Sequence, residues 1–191
     1  MKPALVVSTL LWIALPWVAA DTDEWGQTID GLRMSVAIFP DSHADLQVRI
    51  TVNYLGPKPL LLPLGFATGD EISRHRPRLL VAAADGQHSF KLDDDKPIRG
   101  RFDPIVIPMA PHASYTLELP AAAWRASWTP GLAAMTPLPV LLRQPVRLWV
   151  EWDCAYFQGT AQPSCPLYGY PNPNVFPCWE GKLVSNTLRR G

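Results

Sequence analysis

The run from Leu46 to Tyr54 constrains the fold most: Leu46, Val48, Ile50, Val52 and Tyr54 share one face of an extended chain, while Gln47, Arg49, Thr51 and Asn53 share the other. A period of two is the mark of a strand with one dry and one wet face. A slip of one residue would bury Arg49 and expose the apolar set, so composition alone sets the facing of this strand. Val48, Ile50 and Val52 are expected inside, Arg49 and Thr51 outside.

The same rhythm recurs along the chain. Leu32, Met34, Val36 and Ile38 alternate with Arg33, Ser35 and Ala37, bounded by Asp30-Gly31 and Pro40. Gly56-Pro57-Lys58-Pro59 forces a turn into an apolar run over 60–64, where Pro63 lacks an N–H and so predicts an edge or irregular strand. Segments 78–84 and 89–92 flank Asp85-Gly86 at hairpin distance. A short strand is expected over 105–108, and Tyr115, Leu117 and Leu119 alternate with Thr116 and Glu118. Residues 121–127 allow at most a turn or two of helix. Val146, Leu148, Val150 and Trp152, with Trp149 and Glu151 on the opposite face, form a strand that delivers Cys154, and 179–188 is the last β-competent run. There is no βαβ rhythm and no internal repeat. The expected fold is an all-β, antiparallel, immunoglobulin-like β-sandwich, with a β-barrel as the alternative that pattern alone leaves open.

Composition narrows the class of partner. A formal net charge of zero gives no basis for electrostatic capture of nucleic acid or an anionic membrane, so recognition has to be local. The 21 prolines are scattered between apolar runs, which fits turns and strand ends better than a disordered tract. Residues 1–20 read as a signal peptide: Lys2 supplies the positive start, 4–15 the apolar stretch, and Val18-Ala19-Ala20 the small residues before cleavage. The expectation is an exported protein, periplasmic or extracellular, with a single domain over 21–191 and no membrane span after the signal is removed.

Several pieces resemble a loosely defined group of secreted bacterial immunoglobulin-like domains, similar in pattern to the intracellular proteinase inhibitor domain of bacilli. They are Asp30-Gly31-Leu32, the run 46–53 with its Gly-Pro-Lys-Pro turn and Leu60-Leu61-Leu62, Ala84-Asp85-Gly86, residues 111–119, and Trp179-Glu180-Gly181-Lys182-Leu183-Val184-Ser185-Asn186. The resemblance implies a sandwich. It does not carry an inhibitory activity, because the chain departs from the pattern in the insertion 154–178 and in its ending at Leu188-Arg189-Arg190-Gly191.

That insertion is the main candidate site. It sets Tyr156, Phe157, Tyr168, Tyr170 and Phe176 among Pro163, Pro166, Pro171, Pro173 and Pro177. Aromatic rings on a stiffened loop lose little entropy on binding and suit a protein surface or a sugar face; the alternative is that they fold back to seal the end of the sandwich. In an oxidising compartment Cys154, Cys165 and Cys178 allow three single pairings. Cys154 with Cys178 is the expected disulfide, since it closes the aromatic loop at its base and leaves Cys165 spare.

Other clusters have plainer readings. Arg74, His75, Arg76 and Arg78 read as a solvated basic loop near Asp70 and Glu71, and Asp93-Asp94-Asp95 reads as an acidic turn offset by Lys96, Arg99 and Arg101. His43, His75, His88 and His112 are dispersed, and no GxSxG, HExxH or phosphate loop is present. No catalytic, cofactor-binding or metal site is expected. The leading reading is a non-catalytic secreted or periplasmic domain that binds an unknown protein partner, with carbohydrate as a further possibility. The alternatives are an inhibitor of a secreted hydrolase and a cell-envelope structural or assembly component.

Overall fold

Extended segments of alternating polarity pair here so that their apolar rows coincide. The computed structural model describes residues 24–68, 71–74, 77–92, 103–127, 136–154, 177 and 179–190. The strands are β1 (Leu32–Pro40), β2 (Leu46–Tyr54), β3 (Leu60–Thr68), β4 (Glu71–Arg74), β5 (Arg78–Ala83) and β6 (Gly86–Leu92). They continue with β7 (Asp103–Met109), β8 (Ser114–Pro120), β9 (Trp124–Ala126), β10 (Val146–Asp153), β11 (Lys182–Val184) and β12 (Leu188–Arg190). A 3-10 turn at Ala121–Ala123 precedes β9, and α1 (Leu138–Leu141) precedes β10.

All the strand pairings are antiparallel and form three sheets, ordered β1-β2-β8, β4-β3-β7 and β11-β10-β5-β6-β9, with β12 also on β10. Among the described residues the sheets do not close into a barrel, and the fold is all-β and sandwich-like. In the first sheet, register aligns three inward rows: Ile38-Val48-Leu119, Val36-Ile50-Leu117 and Met34-Val52-Tyr115. In the facing sheet Val150, Leu79 and Phe90 line up across β10, β5 and β6. These rows belong to one core that also takes Leu60, Leu62 and Met109 from the third sheet. Tyr115 of β8 meets Trp152 of β10 across the layers with ring centroids 6.4 Å apart. Leu138, Leu141 and Leu142 of the α1 region are fully buried in the same core.

The β2 facing is as expected: Val48, Ile50 and Val52 are buried, Arg49 is exposed and Thr51 is half-buried. Pro63 bears out the irregular strand: β3 is the central strand of its sheet, and a register shift between Pro63 and Gly65 leaves Leu64 over and accommodates the missing donor. Elsewhere the structure corrects details. The hairpin turns at Ala84-Asp85, and Gly86, with φ +131°, opens β6. Residues 121–127, read as a helical turn, divide into the 3-10 turn and β9, so the chain steps from one sheet to the other within a few residues. Neither β4 nor α1 was expected.

The run 179–188 also divides. Val184 pairs with Glu151 and Leu188 with Leu148, so residues 185–187 oppose only 149–150 and one residue is extra. At this bulge the Ser185 amide donates to the Val150 carbonyl (2.9 Å), and Ser185 Oγ accepts from the Val150 amide (2.9 Å). The displaced Asn186 then turns toward β1.

Candidate functional site

The first candidate follows β10 out of the core. Tyr156, Phe157, Tyr168, Tyr170 and Phe176, with Cys165 and Cys178, lie outside the described residues. The chain on either side of them is tied down by backbone hydrogen bonds. The Cys154 amide donates to the Gly181 carbonyl (2.8 Å), the Leu61 amide to the Pro177 carbonyl (2.8 Å) and the Trp179 amide to the Leu61 carbonyl (2.9 Å). Trp179 lies against Gly181, whose φ is +155° and where a Cβ would come within 2.9 Å of the indole.

Cys154 carries a free, buried thiol. Burial first, and the Asp153 charge second, push its pKa up to about 12. Such a thiol stays protonated near neutrality and packs as a small apolar group rather than acting as a nucleophile.

The second candidate is the outer edge of the first sheet at β8. Tyr115, Leu117 and Leu119 point inward yet remain half-buried, although their register partners Val52, Ile50 and Val48 are almost wholly buried. Among the described residues no strand pairs on the far side of β8. The opposite edge, at β1, is covered. Asn186 Oδ1 accepts from the Val36 amide (2.7 Å), Asn186 Nδ2 donates to the Val36 carbonyl (3.3 Å), and the Gly26 amide donates to the Met34 carbonyl (2.9 Å). The carboxamide thus serves as one peptide unit of an absent neighbouring strand. Gly26 can approach so closely because it has no side chain: a Cβ there would lie 1.8 Å from the Val184 carbonyl oxygen.

The end of β10 meets β8 at one corner. Trp152, two positions before Cys154, is the residue that Tyr115 touches across the layers. Trp152 and Trp179 both bury an indole N–H that has no acceptor among the described residues.

The minor clusters take ordinary places or fall outside the description. Arg78 pairs with Glu151 at 3.0 Å, and Lys182 reaches the same carboxylate at 2.8 Å. Burial opposes ionisation of Glu151, but the hydrogen bonds and charges of Lys182 and then Arg78 outweigh it and hold the carboxyl below its ordinary range. His88 is buried and lies 2.9 Å from Asp85, tying the β5–β6 turn to β6, while His112 is exposed in another turn. Residues 1–23, His75, Arg76, Asp93-Asp94-Asp95, Lys96, Arg99 and Arg101 lie outside the described residues. Among the described residues no helix is long and apolar enough to cross a membrane, and no three His, Cys, Asp or Glu side chains gather as a metal site.

Alternation identified the β8 residues, but no local signal marked β8 as an open edge, because edge status depends on which strand lies beside it. No family model, curated protein or solved structure matches the chain.

Proposed function

We propose that this chain is a non-catalytic, exported protein-binding domain that engages an extended segment of its partner along β8, with the aromatic segment 155–176 adding contacts. The observation that carries this reading is the half-buried row Tyr115, Leu117 and Leu119 on a strand with no described neighbour beyond it. An added strand would pair with the outward main-chain groups of β8 and cover that row, so backbone pairing supplies affinity and the alternating side chains supply selectivity. The aromatic and proline-rich composition of 155–176 suits a low-entropy contact surface of the same kind. Export rests on the sequence of residues 1–20, and N-terminal sequencing of the mature protein should begin at Asp21. Cys154 is a free thiol in the structure, so a Cys154–Cys178 bridge in the exported state is part of this proposal, and non-reducing peptide mapping tests it directly.

Cross-linked pull-down from the native envelope or medium tests the reading. Wild-type protein should recover a defined partner; Leu117→Lys, which places a charge on the β8 row, should lose it, and replacement of Tyr156, Tyr168 and Tyr170 by Ser should weaken it. A partner retained equally by both variants would overturn the assignment of the surface. Catalytic turnover of that partner, or inhibition of a hydrolase by the wild-type chain, would overturn the non-catalytic binding role in favour of an enzyme or an inhibitor.

A further inference from the structure

A second feature lies at the Val146 end of β10. There Arg147 of β10 stands directly opposite Arg189 of β12, and Ala82 of β5 stands opposite Arg147 on its other side. Residues in direct antiparallel register share a face, with Cα atoms about 4.5–5.5 Å apart. Like charges so placed repel. Both arginines are exposed, and neither has an ion pair or hydrogen bond among the described residues. By contrast Arg33 bonds Asn53, Arg49 pairs with Glu118 and Arg78 pairs with Glu151.

The pair borders an open cleft of about 400 Å³ whose remaining walls are Ala82, Ala83, Pro145, Val146 and Arg190. Apart from the arginines these walls are small apolar side chains, and among the described residues no Asp or Glu lines the cleft. The chain as a whole is neutral, so this concentration of positive charge is local. We propose that the cleft binds a phosphate group, free or carried on a small molecule, bridged between Arg147 and Arg189. A guanidinium presents paired donors that match two oxygens of a phosphate, and a dianion with several acceptor oxygens balances two such forks in a way that a monocarboxylate does not. The volume admits a phosphate together with a small organic group. Binding also removes the repulsion that the register imposes.

Calorimetric titration of the mature protein tests this site, with inorganic phosphate, glycerol phosphate and acetate each added at constant ionic strength. Saturable one-to-one binding of inorganic phosphate or of glycerol phosphate is expected, and the tighter of the two identifies the source of the group. Arg147→Ala and Arg189→Ala should each weaken that binding at least tenfold, and Arg147→Lys should weaken it too, because an ammonium keeps the charge but loses the fork. Arg143→Ala, exposed and outside the cleft, should leave it unchanged. Circular dichroism melts confirm that each variant is folded. The proposal is overturned by the absence of saturable phosphate binding, by acetate binding as tightly as phosphate, or by unaltered affinity in folded Arg147→Ala and Arg189→Ala.

Discussion

The two edges of the β1-β2-β8 sheet carry the same alternation and have opposite fates. At β1 the Asn186 carboxamide and the Gly26 amide occupy outward main-chain groups, and Leu32, Met34, Val36 and Ile38 are all buried. At β8 the inward residues Tyr115, Leu117 and Leu119 stay half-buried and no described strand lies alongside. An edge is therefore closed by specific polar groups brought from elsewhere in the chain, not by the strength of its apolar pattern. Where those groups are missing, the same pattern becomes a surface that another strand can use.

The largest expected effect lies between the edges, at β2. Ile50→Ala should destabilise the fold by about 2–5 kcal/mol, because it removes buried methyl groups and leaves a cavity among Val36, Leu117 and their neighbours. Chemical denaturation checks it; a loss no larger than that at exposed positions would remove the distinction between centre and edge. Next comes the closed edge. Asn186→Ala leaves the buried amide and carbonyl of Val36 without their partner and should cost about 1–3 kcal/mol. Hydrogen exchange at Val36 should accelerate in that variant, and unchanged protection would show that the edge is sealed by something other than the carboxamide.

At the open edge Leu117→Ala should cost only about 1 kcal/mol, since a half-buried side chain gives up less apolar area. If instead it matches Ile50→Ala, β8 is not an open edge. The smallest effect belongs to the outer face, where Arg49 bonds Glu118 at 2.6 Å with both side chains nearly half exposed. Arg49→Ala should change stability by about 0.5 kcal/mol or less, since solvent screens such a pair.

The Glu151 cluster on the second sheet gives a pH test. Its carboxyl is held below the ordinary range when folded, so its contribution is present above the unfolded pKa and is lost as pH falls through the folded one. Acid titration of stability should therefore show a smaller loss in Glu151→Gln than in wild type. An identical acid profile would show that Lys182 and Arg78 do not stabilise the charged form.

Much of the strand content was legible because period-two alternation reports burial locally. Residues 32–38, 46–54 and 115–119 all show it, and they lie in β1, β2 and β8. Short elements were not legible. β4 and β9 hold few residues, and α1 is a single turn of Leu138–Leu141 held by core contacts rather than by helical propensity. The bulge at 185–187 was hidden for a different reason: an extra residue is defined only against the partner strand, here 149–150 of β10.

The candidate surfaces divide in the same way. Sequence alone supplied the aromatic segment, its prolines and the three cysteines, because residue type is enough to define an aromatic, proline-rich stretch of chain. Only the tertiary structure decided that β8 is the uncovered edge among the described residues, that Asn186 closes β1, and that Arg147 faces Arg189 across two strands far apart in the chain. Alternation states which side of a strand is dry; which strand comes to lie next to it is a long-range outcome of pairing and packing, and no residue carries that information by itself.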